Sequence, residues 1–190
     1  MINTLIEAST LKALLLFAAK NDVRHYLKTV YFETTATGTY AIASNGFAIG
    51  VAKIDETPGR EKCSVLVHRD NIEAILKINS KHGIAIEQLD DGQVKLRGAF
   101  AGLTVPTMSD LYPDWRRVTS APQTGERAYF DPDYLVMVNK AGQIIKKSKF
   151  PYIVQQNGGS VGYCSLNDVV HAYLMPMRGY GEVVSAPVWY

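Results

Sequence analysis

The residues that could do covalent chemistry in this sequence are few. Cys164 and His171 lie on neighbouring expected strands, but no acid is placed to orient the imidazole, as a Cys–His couple requires. The four histidines and two cysteines lack the close spacing of metal ligands. Asp131 and Asp133 read as helix capping rather than as paired carboxylates. Asp22, Arg24 and His25 follow a helix, where such a cluster fixes a turn. No glycine-rich loop is built to cradle phosphate. The sequence therefore predicts no catalytic residue, no metal, no cofactor and no enzyme. What remains is the chemistry of binding: apolar side chains at turns and strand ends, and lysines spaced along helices.

Composition agrees with an ordinary globular protein. The chain has 190 residues, 47% hydrophobic and 20% charged, with a net charge of +2. That balance neither demands nor excludes nucleic acid, since a local basic face is compatible with near-neutrality. The longest apolar run, Ala13–Ala19, falls short of the roughly 18 residues of a membrane span. The N-terminus does not have the pattern of a signal peptide. Two distant cysteines suit a reducing compartment, so a cytoplasmic protein without membrane contact is expected.

The elements that must position the binding residues recur. A strand, an amphipathic helix and a run of strands appear three times, at a spacing of about 60 residues. Leading strands end near Glu7, Val67 and Phe130, and the helices are expected at Thr10–Lys20, Asp70–Lys81 and Pro132–Ala141. Ser9 or Thr10 is expected to cap the first helix. Asp70 with Glu73 resembles a capping box on the second, which His82-Gly83 ends. Asp131-Pro132 starts the third, and Gly142 stops it. Strands are expected at Val30–Thr35, Thr39–Ser44 and Phe47–Lys53, at Cys63–Val67, at Ile84–Gln88, Val94–Arg97 and Phe100–Val105, and at Tyr152–Gln155, Ser160–Ser165 and Val169–Met175. Asn45-Gly46, Asp91-Gly92 and Asn157-Gly158-Gly159 are turns. Ser120–Arg127 is the linker candidate.

One unit alone cannot cover both its helix stripe and its sheet face, whereas two units can share a sheet. The reading is an α+β protein with a complete two-unit domain at residues 1–122, a half domain at 127–178, and a tail at 179–190. The half domain's sheet edge needs a cover.

Several segments resemble a known family. Asp22-Val23-Arg24-His25-Tyr26-Leu27, Phe32-Glu33-Thr34, Ser44-Asn45-Gly46-Phe47-Ala48-Ile49 and Tyr112-Pro113-Asp114-Trp115-Arg116-Arg117-Val118 are similar to the middle domain of the bacterial DNA polymerase III beta sliding clamp family. Phe130-Asp131-Pro132-Asp133-Tyr134-Leu135 and Met175-Pro176-Met177-Arg178 resemble the second half of that family's last domain. The resemblance implies a DNA-clamp fold reduced to one and a half domains. Nothing in the chain resembles the family's first domain or the first half of its last.

The family docks short peptides of polymerase and loader proteins, with Gln and Leu/Phe anchors, between its middle and last domains. The resemblance places that trough at Leu27, Ser44, Gly46, Phe47, Ile49, Pro113, Val118, Met175, Pro176, Met177 and Arg178. Two departures stand out. Ser44-Asn45-Gly46 replaces the family's Thr-Asp-Gly, and Ala48 replaces a larger polar residue, which is expected to alter motif preference. Leu27, Ile49 and Val118 would equally suit a core. The family also turns its helices toward double-stranded DNA and touches phosphates without reading bases. The candidates are Lys12, Lys20, Arg69, Lys77, Lys81, Lys140, Lys146 and Lys147, which would equally suit a solvated helix face, and Glu73 would weaken their field. Two roles follow as expectations. One is a tethering factor that forms a homo-oligomer around DNA, its unmatched third units pairing between chains. The other is an adaptor or decoy that binds the peptides alone.

Overall fold

Successive units trade their leading strands. In the computed structural model, which describes residues 1–59, 61–147 and 151–178, β1 (Asn3–Ile6) leaves its own unit. It pairs antiparallel with β6 (Ile84–Gln88), beside β7 (Gln93–Arg97) and β8 (Gly102–Pro106). Reciprocally, β5 (Cys63–His68) of the second unit pairs with β2 (Thr29–Thr35) of the first. The order there continues through β3 (Gly38–Ser44) and β4 (Ala48–Asp55). The expected single shared sheet is thus replaced by two sheets cross-linked by exchange. The exchange lets each unit close the other's hydrophobic face.

The third unit joins the first directly. β10 (Val170–Leu174) pairs with β4, and β9 (Gly162–Ser165) pairs with β10, giving a six-stranded sheet ordered β5-β2-β3-β4-β10-β9. The sheet therefore runs without a break across the expected boundary at 122–127. The expected strand ending at Phe130 does not form, and Tyr152–Gln155 is reduced to one bridge, Gln155 to Tyr163. That bridge covers part of the outer edge of β9, so the chain caps its own half unit. Residues 120–131 are irregular but tied down. Thr124 N–H donates to Asn157 Oδ1 at 2.9 Å, and Gly125 N–H to the Gln156 carbonyl at 3.1 Å. The expected linker is laid against the third unit. The predicted tail at 179–190 lies outside the described residues, as does Lys149.

The helices are α1 (Ala8–Phe17), α2 (Arg69–Ile78), α3 (Arg116–Thr119, a single turn) and α4 (Pro132–Lys146). Their ends correct the sequence reading. Neither Ser9 nor Thr10 caps α1; Glu7 stands at the cap, with no side-chain bond. His68 caps α2, its ring nitrogen accepting from Asp70 N–H, while Glu73 pairs with Arg69 instead of closing a box. Asn79, not Gly83, ends α2: its amide donates to the Ile75 carbonyl and accepts from Phe100 N–H. Asp131 caps α4 as expected, with Pro132 in its first turn. Gly142 does not stop α4. It sits inside the helix because the Tyr152 ring packs on it so closely that a Cβ would lie 2.1 Å from a ring carbon.

One large core joins α1, α2 and α4 to the inner faces of both sheets, and Phe17, Leu11, Leu14, Ile72 and Val138 are inaccessible within it. A smaller cluster of Tyr31, Ile42, Ile49, Val51, Leu66, Tyr112 and Trp115 covers the outer face of the six-stranded sheet. Strand alternation sorts the two: Ala48 and Ala52 point inward, Ile49 and Val51 outward. Among the described residues, no helix is long and apolar enough to cross a membrane.

Candidate functional site

The turn between β3 and β4 and the end of β10 meet. Gly46 takes a positive φ of 92°, which suits glycine. Asn45 Oδ1 accepts from Phe47 N–H and Ala48 N–H at 3.0 and 2.8 Å. Ser44 Oγ accepts from Gly46 N–H. This turn lifts Phe47 into solvent, where it is 56% exposed and stacks on Tyr134 of α4. Its carbonyl accepts a hydrogen bond from Met175 N–H at 2.8 Å, and Met177 N–H donates to the Tyr129 carbonyl at 2.7 Å. Met175, Met177 and Tyr129 are all partly exposed. The third unit's Met-Pro-Met-Arg end is therefore tied by one backbone bond, at Met175, to the first unit's Ser-Asn-Gly-Phe turn, and by another, at Met177, to its own Tyr129.

A second wall stands on the outer sheet face. Ile49 lies opposite Tyr173 across β4 and β10, and both pack in the cluster that contains Tyr112 and Trp115. Those two aromatics flank Pro113 and precede Val118, both exposed. Leu27 is buried in the turn before β2, with its carbonyl bonded to Ala19 N–H, so its side chain is not part of the exposed surface. Ala48 is buried in the large core, on the face of β4 opposite Ile49. Arg178 and Pro176 reach the surface beside the methionines. Arg24 lies against Gly46: a Cβ there would come within 2.8 Å of its guanidinium. Arg24 is paired with Asp22, whose carboxyl its hydrogen bonds lower to about 2. The Asp22–Arg24 cluster is a turn lock, as its place after a helix suggested.

Sequence reasoning missed the aromatic floor. Tyr112 stacks on Tyr31 with centroids 4.5 Å apart, and Tyr26 meets its edge at 6.0 Å. Burial pushes the Tyr112 phenol well above the usual tyrosine range, and its hydroxyl has no hydrogen-bond partner among the described residues. β2 and β4 are buried on both faces, so hydrophobic alternation does not mark this one. Tyr112 comes from an irregular segment with no periodicity to place it. An orphan buried hydroxyl costs about 1–3 kcal/mol. Tyr112→Phe is therefore expected to leave stability unchanged or raise it by about 1 kcal/mol, read as a denaturant midpoint; a fall would mean that the hydroxyl finds a partner in solution.

The lysines behave unequally. Lys20, Lys77, Lys81, Lys140, Lys146 and Lys147 are exposed. Lys12 donates to the Ser80 carbonyl at 2.7 Å. Arg69 is buried, its guanidinium spent on the Ala18 carbonyl and Glu73, so it holds α2 to the end of α1 rather than facing phosphate. A cleft of about 620 Å³ between α1, α2 and α4 brings Lys20 and Lys140 together, with Glu73 and Asp133 on the same walls. Cys164 and His171 do not form a couple. Cys164 is buried, with its thiol pushed up to about 11 by burial, and His171 Nδ1 is bonded to the Tyr163 hydroxyl at 3.0 Å.

No protein-family model matches the chain. The curated Beta sliding clamp of Proteus mirabilis is 29% identical over 102 residues, covering 53% of this chain and 28% of that protein. The crystal structure of the DNA polymerase sliding clamp from Bacillus subtilis superposes with a TM-score of 0.66 at 12% identity, over 94% of this chain and 65% of that one. That from Pseudomonas aeruginosa, solved with ligand, gives 0.65 at 16% identity, over 93% and 66%. The chain thus spans less than a third of the curated relative and about two thirds of the solved chains. In sequence over its matched half, and in fold over nearly its whole length, this chain resembles the bacterial DNA polymerase III beta sliding clamps as a partial clamp.

Proposed function

We propose that this chain is a non-catalytic, sliding-clamp-like tethering factor that docks short peptides of polymerase or loader proteins and assembles as a homo-oligomer around double-stranded DNA. The observation that carries it is the 2.8 Å bond from Met175 N–H to the Phe47 carbonyl. It brings the two segments that the family resemblance assigns to the peptide trough together, although they are far apart in sequence. The trough's chemistry suits weak, exchangeable contact. Two methionines adapt their shape to different anchors. Burying one Leu or Phe anchor gives about 1.5–3 kcal/mol before ordering costs.

Encirclement would place the α1–α2–α4 face toward DNA, with Lys20 and Lys140 as phosphate contacts. Among the described residues, β1 and β8 have strand partners on one side only, and these edges offer a route to pairing between chains. Because the third unit already extends its own chain's sheet, pairing of unmatched third units is the less favoured assembly. Light scattering is the test: a strictly monomeric species at micromolar concentration would rule out a ring. Lys20→Glu with Lys140→Glu should cut retention on nicked circular DNA and lower the slope of log affinity against log salt by about 2, with peptide affinity unchanged.

Glu73 and Asp133 on the same cleft, and the internally spent Arg69, favour a second reading: an adaptor or decoy that binds the peptides without encircling DNA. Retention that is the same on circular and linearised DNA, alongside intact peptide binding, would decide for it.

A further inference from the structure

Glu33 is a buried carboxylate, 2% exposed, on β2. Its Oε2 accepts from Arg116 Nη1 at 2.6 Å and from Trp115 Nε1 at 3.3 Å. Its Oε1 faces Lys62 Nζ at 3.1 Å and the Tyr31 hydroxyl at 3.5 Å. Two of these donors belong to the segment that forms the outer wall of the proposed trough. The Arg116 guanidinium also lies 4.2 Å from the Trp115 ring centroid and 5.4 Å from that of Tyr40. Val118 N–H donates to the Trp115 carbonyl at 3.1 Å, so the placement of Val118 follows that of Trp115. Thr107 and Met108 are bonded to Leu66 of β5, but no strand or long helix holds residues 109–115. A segment without a ladder of its own depends on side chains for its position.

We propose that Glu33 is a positioning residue for the peptide trough: by gripping Trp115 and Arg116 it fixes the segment that carries Pro113 and Val118 over the cluster that contains Ile49. The assignment rests on the docking role proposed above and adds to it a cause for the wall's geometry. Carboxylate bonds to a guanidinium are strong and directional, and the two bonds that share Oε2, from Arg116 and Trp115, act as a unit. Glu33 therefore controls recognition without touching the peptide.

The test uses the full chain in a Trp189→Phe background, which leaves Trp115 as the sole tryptophan. The probe is a fluorescein-labelled peptide carrying one Gln and a Leu-Phe pair. Glu33→Gln and Arg116→Ala should each weaken binding by about tenfold, and the double variant should be no weaker than either alone. Lys62→Ala removes a Glu33 partner that is not on the wall, and should bind like the unaltered chain. Acrylamide quenching of Trp115 without peptide should rise for Glu33→Gln and Arg116→Ala and stay unchanged for Lys62→Ala. A purely stabilising role would move unfolding midpoints without this split. The proposal is overturned if Glu33→Gln and Arg116→Ala bind within about twofold of the parent, if their losses add, or if quenching does not change. A parent chain that binds no peptide would overturn the docking role and the affinity claim with it. Unchanged quenching in a parent that does bind would overturn the Glu33 assignment alone.

Discussion

Glu33→Ala is expected to lower the unfolding free energy by about 3 kcal/mol, measured by denaturant titration at neutral pH. Removing one partner of a buried ion pair ordinarily costs about 3–5 kcal/mol, because the other charge is stranded. Here the stranded cations have an escape. The Arg116 and Lys62 side chains are 39% and 71% exposed and can turn to water. The Trp115 indole N–H has no such route, being buried beneath Tyr40 and Arg116. The loss therefore sits at the low end of that range. Acid gives an independent check. Burial raises the Glu33 carboxyl, but the hydrogen bonds from Arg116 and Lys62 outweigh it and hold the group below the ordinary glutamate range. A depressed folded-state value stabilises fully above the unfolded value, about 4.3, and that stabilisation fades as pH falls through the folded value. The gap between parent and variant should thus be constant from neutral pH down to mildly acidic conditions and close below them. A gap that narrows near neutrality would mean that another group carries the effect.

The same network shows what a sequence can and cannot disclose. Turns and strands were legible because their signals are local. Asn45-Gly46 and Asp91-Gly92 declare hairpins through the positive φ that glycine accepts, and alternation along β10 separates inward from outward side chains. Asp131-Pro132 announced α4 for the same reason. Strand exchange was not legible. β1 and β5 read alike as leading strands, and nothing local says that each pairs with the other's unit. Glycines misled where space rather than conformation selected them. Gly142 was read as a stop, yet it is there to admit the Tyr152 ring. Arg69 looked like one more basic residue on a helix until its partners, the Ala18 carbonyl and Glu73, were seen to consume its charge. The site residues divide in the same way. Phe47 and the Met175–Arg178 stretch stand out through their resemblance to known segments, while Tyr31 and Tyr173 join the outer face through the register of paired strands and Tyr26 through the turn before β2.

Met175→Glu is expected to weaken binding of a Gln and Leu-Phe peptide by roughly 30- to 100-fold, about 2–3 kcal/mol, at nearly unchanged stability. The substitution separates function from folding because the structural role of this residue is carried by its backbone. Met175 N–H bonds the Phe47 carbonyl, and any side chain other than proline preserves that bond. The Met175 side chain itself is 36% exposed, so a carboxylate there stays solvated while the peptide is absent. Once an apolar anchor covers it, that carboxylate must lose water without gaining a cation. Arg178 lies nearby in sequence, but it is exposed to water. Phe47→Ala gives the complementary case. It removes the stacking on Tyr134, whose centroid lies 5.9 Å away, and should cost about 1 kcal/mol in stability as well as affinity. The two variants thus move differently on the same pair of measurements. Full peptide affinity in Met175→Glu would show that the junction of the first and third units holds the fold together without being the surface on which partners dock.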